Sequence, residues 1–453
     1  MKTICAIATG NSAGGIGVIR ISGENAIEVA DRVFTAKDGS PLANLDGYRA
    51  KFGSVIIDNR KSDDAVALVF RAPKSYTGED VVEISVHGGI FIVEKTLEAV
   101  LSAGAEPAEA GEFTKRAFLN GKMDLTQAES VADLISAQGE TALRASYNAL
   151  QGSLSNKINN VLENLMDCSA LMSAWVDYPD EEIEELAPEN LIETLENAKA
   201  DLTSLVDNYD NGQAMLQGID TVIAGRPNAG KSTLMNALSG KNKSIVTQIA
   251  GTTRDIVEET VRLGTLVLHL NDTAGIRQSD DVVESIGIQR ALDKIDSAML
   301  VIAVFDSSAP LSGDDYNLIE KCAGKKAVAI INKTDLNCET DTAVIESAFS
   351  KVLYMSAKNN DGVCELEGAV KEILGIDSFD ASAPMLANQR QKQCVKNALG
   401  HIDEALSASL SGLTYDAVNV MIDSAVDDLL MLTGRKANIE VVNNIFSKFC
   451  VGK

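Results

Sequence analysis

Apolar and polar positions follow different rhythms along the chain. In the first 120 residues, Gly17-Val18-Ile19-Arg20-Ile21, Ala65 to Phe70 and Val81 to Val86 have the length and composition of strands, whereas Ile90 to Leu101 reads as a helix. The mixture predicts a separate α+β domain over 1–119. Beyond it the apolar spacing changes to threes and fours, with Leu150, Leu154, Ile158, Val161, Leu162 and Leu165 on one stripe, then Leu191, Leu195, Leu202 and Leu205. This predicts helices over 120–215, and Thr126 and Glu129 stand at capping-box spacing near the start of the first. Between 216 and 376 short apolar runs alternate with helix-length segments: Thr221 to Ala224, Leu266 to Leu270, Met299 to Phe305, Ala327 to Ile331 and Val352 to Met355. That is the pattern of a parallel sheet in an α/β domain. Residues 377–453 read as helix again, with Val418, Met421, Ile422, Ala425, Leu429 and Leu430 on one stripe. The simplest organisation is multidomain: an α+β domain, then an α-helical domain interrupted by an inserted α/β domain.

Composition narrows the classes of function. The 453 residues carry a formal net charge of −25, which excludes a broad basic groove for nucleic acid, because that affinity comes from cations displacing counterions. The acidity is uneven: residues 121–215 hold 4 basic and 18 acidic side chains, while 1–120 hold 13 and 16. The simplest account of the acidic segment is a solvated helical face. No apolar run approaches the roughly 20 residues needed to span a bilayer, and Ile4 to Ala8 is too short for a secretory core. The seven cysteines form no CxxC pair. A reduced cytoplasmic setting without membrane association is expected.

Candidate chemistry is concentrated in the α/β segment. Gly225-Arg226-Pro227-Asn228-Ala229-Gly230-Lys231-Ser232 follows a strand-like run and precedes a helix-like one. In such a loop backbone N–H groups and a helix N-terminus face phosphate oxygens, Lys231 supplies a point charge, and Ser232 offers a hydroxyl to Mg²⁺. Asn332-Lys333-Thr334-Asp335 lies about 100 residues on, after another strand. The Asp335 carboxylate can accept two hydrogen bonds from guanine, whereas adenine would leave it unpaired. Asp272-Thr273-Ala274-Gly275 ends a further strand and suits the Mg²⁺ shell and the γ-phosphate; Thr253, in Gly251-Thr252-Thr253-Arg254-Asp255, would complete the metal site. Ser356-Ala357-Lys358 follows the last strand and is placed to touch the guanine edge. Any one of these has a bland explanation in glycine turns and capping hydroxyls; five in this order point to a P-loop GTPase domain of the Ras-like kind. Ile276 follows Gly275, so no glutamine stands there to orient water. No arginine finger is assignable among Arg254, Arg277 and Arg290, so another cation must neutralise charge on the β–γ bridge.

The P-loop, the segment Ile249-Ala250-Gly251-Thr252-Thr253-Arg254-Asp255 and the C-terminal Phe449-Cys450-Val451-Gly452-Lys453 resemble the MnmE (TrmE) family of tRNA wobble-uridine modification GTPases. The likeness covers the whole chain, including Gly14 to Arg20, Tyr76 to Asp80, His87-Gly88-Gly89, Gly111-Glu112-Phe113 and Asn120 to Leu125. It departs at Thr9-Gly10-Asn11-Ser12-Ala13, where the family usually has prolines, and a local loop change is expected there. The resemblance implies GTP contacts at Asn228 to Thr233 (with Ala229, Gly230, Lys231, Ser232), at Thr247, Gln248, Ile249, Ala250, Gly251, Thr252 and Thr253, and at Asp272, Thr273, Ala274 and Gly275. Asn332, Lys333, Asp335, Ser356, Ala357 and Lys358 complete that set. It implies K⁺ in the role of the arginine finger, held by Asn228, Thr247, Ile249 and Thr252, with Mg²⁺ on Ser232 and Thr253. Glu284 would position water and Lys231 would act on the phosphates.

In this family the N-terminal domain dimerises and binds a folate, so Arg20, Glu83, Lys122 and Lys453 are the matching candidates for 5-formyl- or methylene-tetrahydrofolate. Cys450 is either the reactive residue of the tail or a buried structural thiol. The implied partner of the homodimer is an FAD-dependent protein of the MnmG (GidA) type, in a heterotetramer or larger complex, bringing FAD and NADH, with tRNA as substrate. The acidic helical arm is a candidate docking surface for a more basic partner. Two other functions fit the residues less well: a ribosome-assembly switch without modification chemistry, which usually adds a basic module, and a folate binder whose GTPase domain only reports nucleotide state.

Overall fold

The computed structural model describes residues 2–10, 12–177, 187–241, 259–270, 295–376 and 379–452, in two compact units. One comprises Met1–Ala132, Ser155–Lys199 and Gln393–Lys453; the other comprises Asp133–Leu154 and Ala200–Lys392. No helix among the described residues is long and apolar enough to cross a membrane.

In the first unit, strands β1 (Ile4–Ile7), β2 (Ile16–Ser22), β3 (Phe34–Ala36), β4 (Arg49–Ile57), β5 (Arg60–Phe70), β6 (Val81–His87) and β7 (Glu106–Pro107) form one sheet in the order β3-β4-β5-β6-β2-β1-β7. Pairing is antiparallel except between β1 and β7. Alternation decides the faces. Ile19, Ile21, Val82, Ile84, Ala67 and Val69 point into a core with the buried faces of α1 (Ala26–Val33) and α2 (Ile90–Ser102). On the other face, register places Val18, Ser85, Val66 and Phe52 in one row and Arg20, Glu83 and Leu68 in the next. Ile16, Phe52 and Val66 are exposed there.

Helices α3 (Glu112–Leu119) and α4 (Leu125–Ser136) follow. The capping box of α4 is not Thr126 with Glu129. Asp124 Oδ1 accepts from the Gln127 N–H at 2.9 Å, and Gln127 Oε1 accepts from the Asp124 N–H at 3.0 Å. Thr126 lies inside the first turn, buried, and shares its hydroxyl with Asp124 (2.8 Å) and Ser155 (2.8 Å). The stripe predicted from Leu150 onward is also interrupted. Leu150 ends α5 (Glu140–Leu150), Gly152 turns the chain at φ 90°, and α6 (Ser153–Asp177) begins afresh, burying Ile158, Val161, Leu162 and Leu165. A residue with a Cβ resists that left-handed conformation.

Helix α7 (Pro188–Asp207) buries Leu191, Leu195, Leu202 and Leu205; α13 (Gln389–Leu410), α14 (Tyr415–Thr433) and α15 (Ile439–Phe446) close the chain. Helix α6 meets α14 through the Trp175–Tyr415 ring pair, with centroids 5.3 Å apart, and the Ser169–Asp423 bond of 2.8 Å. Val418, Ile422, Ala425 and Leu429 of the predicted stripe are buried, while Met421 and Leu430 are half-buried.

The second unit holds α8 (Tyr209–Gln217) and a six-stranded sheet ordered β13-β12-β11-β8-β10-β9, where β8 is Ile219–Ala224, β9 Glu259–Leu263, β10 Leu266–Leu270, β11 Leu300–Asp306, β12 Ala327–Asn332 and β13 Val352–Tyr354. All pairs are parallel except the β9–β10 hairpin, whose first strand the apolar pattern did not announce. Every residue of β11 and β12 is buried, as expected of strands covered on both faces. Helices α9 (Lys231–Lys241), α10 (Gly313–Cys322) and α11 (Thr342–Ala348) lie between strands, and α12 (Val363–Leu374) follows β13.

Asp124→Ala removes the α4 cap and should lower stability by about 1 kcal/mol in denaturant unfolding.

Candidate functional site

Strand β8 ends at Ala224, and the chain turns over Gly225 to Gly230 into α9. The Lys231 Nζ folds back inside this turn and donates to Gly225 O at 2.7 Å and Arg226 O at 2.8 Å. Its charge is thereby fixed at the helix N-terminus, where anions are favoured. Ser232 and Thr233 lie exposed in the first turn of α9. Asn228, in the loop, is exposed and takes a left-handed φ of 60°.

Asn332, at the end of β12 and 2% exposed, donates through Nδ2 to Ala229 O at 2.9 Å and accepts through Oδ1 from the Ala357 N–H at 3.0 Å. One carboxamide therefore joins three loops. The approach is so close that a Cβ on Gly230 would lie 2.1 Å from Asn332 Nδ2, which requires glycine there. Asp335 Oδ1 accepts from Ser356 Oγ at 2.6 Å, a bond that holds the carboxyl below the usual carboxylate range. Ser356 and Ala357 are thus each bonded to the base loop, and Lys358 is exposed.

Lys333 has φ 67° and pairs with Asp306 at 2.7 Å. Burial pushes the Asp306 carboxyl up, but bonds from Lys333 and Ser308 outweigh it and the net direction is down. The pair's contribution is therefore present at neutral pH and is lost as pH falls through that depressed value. Asp306 lies in no motif, and its only signal in the residues is its place at the end of a strand beside the P-loop strand.

On the open face of the first unit's sheet, Arg20 Nε donates to Glu83 Oε1 at 2.8 Å and Nη1 donates to Gly452 O at 3.3 Å. The guanidinium lies over the Tyr76 ring (5.7 Å) and the Phe113 ring (5.6 Å). Arg20, Glu83 and the C-terminal tail are thus brought together, on an aromatic floor that the sequence reading did not foresee. Lys122 is exposed and donates to Pro73 O at 3.0 Å, making no contact with that pair among the described residues. The tail is seated by a bridge between Ala110 and Val451 and by the Gly111 N–H on Cys450 O at 3.3 Å. Cys450 is exposed, which removes the alternative of a buried structural thiol.

Thr247, Gln248, Ile249, Ala250, Gly251, Thr252, Thr253, Asp272, Thr273, Ala274, Gly275, Glu284 and Lys453 lie outside the described residues.

A parallel sheet carrying a P-loop at one strand end and an Asn-Lys-x-Asp loop seated against it defines the class of P-loop GTPase-type domains. The model of the GTP-binding protein TrmE N-terminus matches residues 3–122, and that of the MnmE helical domain matches 125–450. The chain is 39% identical to a tRNA modification GTPase MnmE of Clostridioides difficile and 41% identical to one of Symbiobacterium thermophilum, each alignment covering 100% of this chain and 99% of the relative. It belongs to the MnmE (TrmE) family.

Thiol reactivity should follow burial. Burial pushes Cys5 up to about 12 and Cys322 to about 11. Brief iodoacetamide treatment of the folded protein at pH 8 should label Cys338, Cys364 and Cys450 and spare Cys5, Cys168, Cys322 and Cys394. Mass mapping of tryptic peptides checks this; a protected Cys450 would contradict the seating of the tail.

Proposed function

We propose that the protein hydrolyses GTP and, with an FAD-dependent partner of the MnmG (GidA) type, adds an aminomethyl or carboxymethylaminomethyl group at C5 of the wobble uridine of certain tRNAs. The observation that carries the GTPase half is the seating of the base loop on the P-loop through Asn332. Full-length family membership carries the tRNA half.

Within this reading Lys231 binds the phosphates, and Asp335, oriented by Ser356, selects guanine through two hydrogen bonds. Ser232, exposed at the head of α9, suits Mg²⁺ together with Thr253. The carboxamide of Asn228 is a hard oxygen donor in the loop and suits K⁺ together with Thr247, Ile249 and Thr252. Bound cations there supply positive charge to the β–γ bridge, the part an arginine finger plays elsewhere. Glu284 orients the attacking water.

For the one-carbon half, Arg20 and Glu83 offer paired donors and acceptors above Tyr76 and Phe113, chemistry suited to the flat pterin ring of 5-formyl- or methylene-tetrahydrofolate. Lys122 and Lys453 are the cations for its glutamate tail, and Cys450 is the reactive residue of the C-terminus. The apolar open face beside Arg20, with Ile16, Phe52 and Val66 exposed, supports a homodimer formed through this domain. The partner brings FAD and NADH and docks on the acidic helical segment in a heterotetramer or larger assembly, in the cytoplasm.

GTP turnover measured in K⁺ and in Na⁺ tests the cation site: hydrolysis should be markedly faster in K⁺. Asn228→Ala should lose that stimulation while retaining nucleotide; stimulation that survives would rule Asn228 out as ligand. Glu284→Ala should bind GTP normally and hydrolyse it at least tenfold more slowly, about 1.4 kcal/mol of barrier. Mass analysis of tRNA nucleosides from a deletion strain tests the whole, and unchanged wobble uridines would sink it.

A further inference from the structure

We propose that Asp306 is a positioning residue for guanine-nucleotide binding: it holds Lys333 of the base loop in place and joins it, through Arg226, to the P-loop. The inference rests on nucleotide binding at this site and adds to it a residue that lies in none of the nucleotide motifs.

Asp306 ends β11 and is 8% exposed. Its Oδ1 accepts from the Ser308 N–H at 3.0 Å and from Ser308 Oγ at 2.7 Å, which fixes the plane of the carboxylate. Oδ2 is left facing two cations, Lys333 Nζ at 2.7 Å and Arg226 Nη2 at 3.8 Å. Arg226 belongs to the P-loop, and its guanidinium is anchored on the same side by Pro310 O at 3.0 Å and Asp315 Oδ2 at 3.4 Å. The base loop is gripped from the same turn a second time: the Ser307 N–H donates to Asn332 O at 2.9 Å, and Ser307 Oγ donates to Lys333 O at 2.9 Å.

The backbone explains why Lys333 needs such holding. Its φ of 67° is a conformation that costs a residue with a Cβ roughly 1–2 kcal/mol, so the turn persists only where its surroundings fix it. A carboxylate shared by a base-loop ammonium and a P-loop guanidinium supplies that constraint. Without its charge Lys333 would lose its ion-pair partner in a partly buried site while Arg226 kept only Asp315 and the Pro310 carbonyl, and the Lys333 turn would no longer be tied to the P-loop. Asp335 has a separate support in Ser356, so base recognition by Asp335 and placement of Lys333 are separable functions.

The test is the affinity and release rate of fluorescently labelled GDP on the full chain, for the parent, Asp306→Asn, Lys333→Gln and the double variant. Each single change should weaken binding about tenfold. The double should be no weaker than the weaker single, because both remove the same contact. Asp306→Asn should lower GDP and IDP affinity by the same factor, leaving their ratio at the parent value, since Asp335 keeps Ser356. Independent losses multiplying to about a hundredfold in the double variant, a changed GDP-to-IDP ratio, or parent-like release in Asp306→Asn would each overturn the proposal. Should Asp306→Asn fail to fold, Arg226→Gln carries the test from the P-loop side: GDP release about threefold faster supports the bridge, and unchanged release refutes it. A parent chain that binds no labelled GDP would instead bring down the nucleotide-binding reading itself, a result distinct from all of these.

Discussion

The Asn332 carboxamide accepts from the backbone of one loop and donates to the backbone of another while sitting almost wholly out of solvent. Buried polar groups that lose their partners cost about 1–3 kcal/mol each, so the P-loop, the base loop and the loop after β13 are held at one separation. The phosphate and base ends of a nucleotide site must keep that separation fixed, because a hydrogen bond near 3 Å tolerates an error of only about half an ångström. The glycine at 230 is part of the same constraint, since no side chain fits between the P-loop and Asn332. Lys333 and Asp335 then inherit their positions from this seat, one steadied by Asp306 and the other by Ser356.

The two sheets show how burial divides labour. In the second unit β11 and β12 are covered on both faces, so polar chemistry is confined to strand ends and the loops beyond them. In the first unit one face is covered by α1 and α2 and the other only in part, and the alternation that buries Ile19 and Ile84 leaves Arg20 and Glu83 as neighbours on that second face. An ion pair on an open sheet is worth little by itself. Here it is backed by Tyr76 and Phe113 and touched by the C-terminal tail, so residues more than 400 positions apart share one platform.

Most of this was legible in the residues in proportion to how local the determining physics is. The strands at Thr221–Ala224, Leu266–Leu270 and Ala327–Ile331 were readable because a continuous apolar run can be satisfied only in a buried strand or helix, and flanking turns chose between them. Short or edge elements such as β3, β7 and β9 were not, because a few residues of mixed polarity carry no period. The α4 cap lies two residues earlier than expected: Asp124-x-x-Gln127 and Thr126-x-x-Glu129 have the same spacing, and in the fold the first pair makes the reciprocal bonds while the Thr126 hydroxyl is engaged by Asp124 and Ser155. Leu150 matched the period of α6 but was cut from it by the turn at Gly152.

The amino-acid sequence by itself determined the class of chemistry: a glycine-rich loop ending in Gly-Lys-Ser, a carboxylate suited to guanine, a chain too acidic for a broad basic groove, and family motifs spread from Gly14 to Gly452. Each depends on residue identity and near-neighbour spacing. Tertiary structure alone decided which groups support those residues: Asp306 under Lys333 and Arg226, Ser356 behind Asp335, the aromatic floor beneath Arg20, and an exposed Cys450. These are contacts between chain segments brought together by packing, and no local pattern of residues encodes which distant side chain will arrive at a given strand end.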